Sequence, residues 1–203
     1  MREIVEGIHM WSRLAQPQNY NFNGHWVAHP GGNLVIDPVE PEDEELERLV
    51  AMGVAHIVLT NRNHSRAANR VRERTGAQVL MHPADAGHAR EQGTQIDGDL
   101  AVNQRIGPFQ VLDASGKSPG EVALFWPERS LLLVGDAIIS DPPGKCRLLP
   151  EAKLDDPAAL RASVKRLYET VDFDSLLVGD GEPILTGAKA RVGYLVVSFS
   201  GTR

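Results

Sequence analysis

The order of strand-like and helix-like runs predicts an α/β fold for this 203-residue chain. Two observations carry that expectation: Gly, Pro and Asp clusters punctuate the runs, and polar clusters follow directly on three of the strands. With 42% hydrophobic residues the chain is long enough for one sizeable core and too short for two, so one domain over 1–203 is expected.

Residues 3–8, 26–29 and 33–36 read as strands of an N-terminal meander, with Gly31-Gly32 as the turn between the last two and Asp37-Pro38 as the stop. Pro41, followed by Glu42, Asp43, Glu44 and Glu45, starts a helix, because proline suits the first helical position and acids favour the positive end of the helix dipole. Leu46, Leu49 and Val50 form its expected buried stripe, and Gly53 its left-handed end. Residues 56–60 form a short apolar strand that runs into the polar loop 61–66. Ala67, Ala68 and Val71 mark the buried side of a second helix, opposite Arg70, Arg72, Glu73 and Arg74, and Gly76 closes it before the strand 78–81. His82-Pro83-Ala84-Asp85 reads as a structural turn. Strands 120–126 and 131–134 make a hairpin through residues 127–130, which delivers Asp136 at a strand end. Asp156-Pro157 starts a helix in which Leu160, Val164, Leu167, Tyr168 and Val171 recur at helical spacing, and the strand 175–178 beyond it leads to Asp180. Residues 187–199 form a last helix or strand; the apolar run 195–199 suits either the core or a contact between copies, which leaves a homo-oligomer open.

A net charge of -6 gives no general attraction to nucleic acid or anionic lipid, so neither is an expected partner. The first residues carry acids and no apolar run of signal-peptide length, and no later run would span a membrane; a soluble cytoplasmic protein is expected. Cys146 is the lone cysteine, cannot form an intramolecular disulfide, and reads as a small buried side chain. Gly31-Gly32 is not a phosphate loop, since no Lys-Ser or Lys-Thr follows it. His25 and His29 fall on a strand near the first turn, where partial burial or exposure rather than chemistry is expected, and His9, His56 and His88 have no evident chemical partner.

Three segments matter most: residues 57–66 (Ile-Val-Leu-Thr-Asn-Arg-Asn-His-Ser-Arg), residues 114–120 (Ala-Ser-Gly-Lys-Ser-Pro-Gly) with Gly135-Asp136, and residues 177–183 (Leu-Val-Gly-Asp-Gly-Glu-Pro). Together they resemble the metallo-β-lactamase superfamily over nearly the whole chain. In that family a strand ends in Thr-His-x-His-x-Asp-His, a Gly-His-Thr-Pro-Gly turn follows, a hairpin ends in Gly-Asp, and a Gly-His-Gly-Glu-Pro-like loop comes last. Thr60, Gly116, Pro119, Gly120, Gly135, Asp136, Gly179, Gly181, Glu182 and Pro183 match those flanks, as does the strand into Asp37-Pro38. The resemblance implies a four-layer αβ/βα sandwich in its minimal, single-domain form.

The metal-ligand positions do not match. Family histidines fall on Asn61, Asn63, Lys117 and Asp180, the aspartate of the first loop on Ser65 and its last histidine on Arg66, which leaves Asp136 alone of seven. Zinc takes thiolate, imidazole and carboxylate donors, whereas charged Lys and Arg cannot ligate. Structural zinc sites yield about 10–16 kcal/mol with every ligand present. A cation ~4 Å from a divalent ion opposes that by about 8 kcal/mol at an effective dielectric of 20.

By the resemblance, the Ser65, Arg66 and Asp180 positions would share one metal, the Asn61, Asn63 and Lys117 positions the other, and Asp136 would bridge them. This suggests a charge swap in which Arg66 stands against Asp180 and Lys117 against Asp136. His64 falls on a spacer position, where side chains point away from the metals. The leading expectation is a non-hydrolytic pseudoenzyme with no metal cofactor, whose cleft binds a small molecule or a protein partner. The alternative is a metal-dependent hydrolase of an ester, thioester or lactone, resembling glyoxalase II, with one zinc or other divalent ion at Asp136, Asp180 and His64.

Overall fold

The computed structural model describes residues 1–200. Strands β1 (Arg2–Val5), β2 (Ile8–Ala15), β3 (Tyr20–Val27) and β4 (Leu34–Ile36) form an antiparallel meander. The expected single strand over 3–8 is instead two, because Gly7 at φ 71° reverses the chain so that Val5 pairs with Ile8. The expected strand 26–29 is the tail of the longer β3, which starts six residues earlier.

Beyond β4 the chain switches to parallel pairing. Helix α1 (Asp43–Met52) crosses to β5 (His56–Leu59), α2 (Ala68–Thr75) to β6 (Gln78–Met81), and α3 (Pro83–Glu91) to β7 (Gly98–Asp99), completing a seven-stranded sheet in chain order. Glu42 and Glu45 cap α1 reciprocally, which is why the acidic run starts a helix. Val50 is exposed rather than part of the buried stripe; Glu45 is buried instead, where the N-terminal ammonium and Arg13 reach it. The expected turn at 82–85 is the first turn of α3, with Pro83 at its first position.

The second sheet holds β8 (Arg105–Ile106), β9 (Phe109–Asp113), β10 (Val122–Trp126) and β11 (Leu131–Val134) in antiparallel order. A small pair follows, β12 (Ile139–Ser140) with β13 (Cys146–Arg147). Helix α4 (Pro157–Thr170) then leads to β14 (Ser175–Val178), which pairs parallel to β11, and α5 (Ala188–Ser198) closes the described chain.

Three apolar clusters define four layers. Ile36, Val58, Val111, Leu124, Leu133 and Leu177 meet between the two sheets. On the outer face of the first sheet, Val35, Ile57 and Val79 pack against Leu46, Leu49, Val71 and Ala89 of α1, α2 and α3. On the outer face of the second, Leu132, Val134 and Leu176 pack against Leu160, Val164, Leu167 and Val192 of α4 and α5. The helices cover faces that would otherwise expose rows of β-branched and leucine side chains, and the result is the expected four-layer αβ/βα sandwich. Strands β4, β5, β11 and β14 all end at one edge of the two sheets, and the loops there converge.

Candidate functional site

The site begins with Asp37, just past β4. Its backbone sits at φ 49°, which a short polar side chain tolerates. Its carboxylate is fully buried and accepts Thr60 N–H at 2.8 Å and the Thr60 hydroxyl at 2.6 Å. The same carboxylate turns His64 inward: the ring donates Nδ1–H to Asp37 Oδ2 at 2.8 Å and Nε2–H to Asp136 Oδ1 at 3.2 Å. This corrects the expectation that a spacer position points away. The turn 61–65 that carries His64 is held at its start by Asn61, whose side-chain oxygen accepts Asn63 N–H at 2.9 Å. Gly179 leaves room for the ring, since a Cβ there would lie 2.6 Å from His64 Cε1.

Lys117 completes the row. Its buried ammonium lies 3.0 Å from Asp136 Oδ2 and donates to Asn63 Oδ1. Four side chains of alternating sign therefore run in line: Asp37, His64, Asp136, Lys117. The turn carrying Lys117 is tied to the His64 turn by Asp85, whose buried carboxylate accepts Arg62 N–H and Gly120 N–H, each at 2.9 Å, and the Ser118 hydroxyl.

Charge governs proton affinity here. Burial favours neutral His64, but Asp37 above all and then Asp136 reverse that and push it up to about 10. Burial likewise opposes ionisation of Asp136, yet His64 and Lys117 hold it well below the usual carboxylate range. Asp180 has no such partner. Burial and the nearby Asp136 push it up to about 7, and its Oδ1 is buried with no hydrogen-bond partner. Burial and Asp180 in turn push Tyr20 up to about 12. Glu121 is raised too, by burial first and Asp136 second, while its Oε1 accepts Asp136 N–H at 2.7 Å.

Arg66 does not take the place expected for it. No carboxylate of the described residues lies within 4.0 Å of its guanidinium, so the pairing with Asp180 is absent. Instead Arg66 lies over Phe22, its Cζ 4.8 Å from the ring centroid. Half of the swap is thus present, Lys117 with Asp136, and half is not. The physical reason is that β3 extends to Tyr20 and places the Phe22 ring within cation–π reach of the guanidinium.

Asn63, His64, Arg66, Lys117, Asp136 and Asp180 line one cavity of about 340 Å³. Asn61 is buried behind it, donating to Glu121 at 3.4 Å, and Ser65 faces its own turn. Sequence reading missed Tyr20, Phe22, Arg147 and Lys153 on the cavity wall, and Asp37 and Glu121 behind it. Glu121 had a signal, an acid opening the apolar run 122–126. His82 caps α3 away from the cavity, Cys146 is buried on β13, and His25 is fully buried with both ring nitrogens unpartnered.

His64, Asp136 and Asp180 each offer an atom, and these lie within 4.8 Å of one another, a spacing that can hold a metal ion. The donor chemistry argues the other way. Both nitrogens of His64 already face carboxylates, and the Lys117 ammonium occupies Asp136 Oδ2.

The sequence model of the metallo-beta-lactamase superfamily matches residues 5–199, and the chain belongs to that superfamily. Among solved structures it is similar to TTHA1623 in a di-iron-bound form, with 26% identity, 90% of this chain and 98% of that one covered, and a TM-score of 0.66. The metallo-beta-lactamase from Pontibacter korlensis shares the fold at TM-score 0.79 and 16% identity, over 99% and 98% of the two chains. FIM-1 from Pseudomonas aeruginosa in its mono-zinc form does so at 0.76 and 14%, over 98% and 94%. No curated protein matches the chain. No helix of the described residues is long and apolar enough to cross a membrane.

Proposed function

We propose that this chain is a non-hydrolytic member of its superfamily, a binding protein whose cleft is held open by fixed cations in place of metal ions. The observation that carries this reading is the Lys117 ammonium 3.0 Å from Asp136 Oδ2, with the His64 imidazolium on the other oxygen. A divalent ion seated on Asp136 would sit beside that ammonium at a cost of about 8 kcal/mol at ~4 Å and an effective dielectric of 20. It would also have to strip a proton that His64 holds up to about 10. The three donors therefore fit a metal poorly as they stand.

A second reading, a metal-dependent hydrolase, is favoured by the His64, Asp136 and Asp180 spacing and by the di-iron form of TTHA1623. In that case the bound ion would activate water, and the three residues would be its ligands. Elemental analysis of protein purified without chelator separates the two. The binding-protein reading expects far less than one metal per chain, and the same melting temperature with and without chelator. Stoichiometric metal, together with thioester or lactone hydrolysis abolished by chelator, overturns it.

A further inference from the structure

Resting on the metal-free reading, we infer that the cleft takes a small organic anion, a carboxylate or phosphate, that also bears a hydroxyl. Four lysine and arginine side chains line the cavity, Arg66, Lys117, Arg147 and Lys153, together with His64, against two carboxylates. Asp136 is already met by Lys117 and His64, and Arg147 by Asp141 at 2.9 Å. Arg66 and Lys153 remain with no carboxylate of the described residues within ion-pair distance. On a chain of net charge -6, this is a local excess of positive charge in a concave site.

The geometry of Arg66 suits an oxyanion. Its Cζ lies over the Phe22 ring, and no hydrogen bond or ion pair of the described residues occupies its N–H fork, which can pair two oxygens of a ligand at once. Asp180 supplies the second requirement. Its residue is 4% exposed, it lines the same cavity, and its Oδ1 has no donor. A buried acceptor without a partner is costly, and a ligand hydroxyl provides the missing hydrogen bond. Phe22, Leu149 and Pro150 supply an apolar wall for the carbon frame, and the volume of about 340 Å³ is at the small end of ligand sites.

The test is calorimetric titration of the full chain at low salt with mandelate, a hydroxycarboxylate, and glycerol 3-phosphate, a hydroxyphosphate. Phenylacetate lacks the hydroxyl and 1-phenyl-1,2-ethanediol lacks the charge, so they are the controls. At least one hydroxy anion is expected to bind, and which one does names the anionic group. If mandelate binds, both controls bind at least ~10-fold more weakly. Arg66→Ala, on an exposed side chain, should keep the melting temperature and weaken binding about 10- to 100-fold. Binding of neither anion to metal-free protein, equal binding of diol and mandelate, or unchanged affinity in Arg66→Ala overturns the inference. Binding seen only after zinc loading and lost with chelator instead overturns the metal-free reading itself.

Discussion

Asp136 is the most constrained residue of the site, since each of its carboxylate oxygens faces a different buried cation. Removing one partner from a buried ion pair leaves an uncompensated charge, which is far costlier than never burying the pair. Asp136→Ala strands both Lys117 and the Nε2 side of His64, and should cost about 3–5 kcal/mol of folding stability. Lys117→Met keeps the stem packed and leaves Asp136 with His64, so a smaller loss, about 1–3 kcal/mol, is expected. Urea denaturation of both variants checks the order. A Lys117→Met loss equal to or above that of Asp136→Ala would show that the row of alternating charges does not organise the site.

Secondary-structure elements contribute through the loops at their ends. The turn carrying Lys117 lies directly on the first turn of α4: a Cβ at Gly116, where φ is 136°, would lie 2.2 Å from Leu160 N and 2.4 Å from its Cα. Backbone cannot yield as a flexible side chain does. Gly116→Ala should therefore cost about 2–3 kcal/mol and pull the Lys117 ammonium off Asp136, read as a lower melting temperature and a shifted lysine resonance. A neutral substitution would mean that α4 does not brace this turn. Such loops also show what the sequence made legible. Thr60, Gly116, Gly135-Asp136 and Gly179 through Pro183 carried the fold, because close approach and strand ends demand those residue types whether or not a metal is bound. The inward turn of His64 was not legible, because it depends on Asp37, twenty-seven residues earlier and brought near only by the parallel pairing of β4 with β5. Phe22 escaped for a similar reason. Strands β2 and β3 alternate weakly, since their outer halves spend side chains such as Asn23 on the loop at Gly181 rather than on the core.

Stability of the whole molecule against pH sums these groups, and their signs differ. Asp37 and Asp136 are depressed, so their contribution is present above the usual carboxylate range and lost as pH falls. Asp180 is raised to about 7; its folded form holds a proton that the unfolded chain releases near pH 4, so its contribution is full below that value and lost as pH rises to 7. His64 is raised to about 10, so its contribution is full below about 6.5 and lost between there and 10. His25 works against Asp180: burial lowers it to about 4, so its contribution grows as pH rises from there to 6.5, while Glu121, raised by burial, adds to the decline. The Asp180 decline is therefore partly offset up to about pH 6.5, and the His64 decline follows above it. One proton taken up differently by the two states changes stability by at most about 1.4 kcal/mol per pH unit. Asp180→Asn removes the falling Asp180 contribution and leaves the others, so between pH 5 and 7 the variant's slope should be more positive than the wild type's by up to that amount. Urea denaturation of both proteins at half-unit steps from pH 4.5 to 9 reads the difference. An Asp180→Asn profile parallel to that of the wild type between pH 5 and 7 would mean that the Asp180 carboxyl is solvated and not held buried in the cleft.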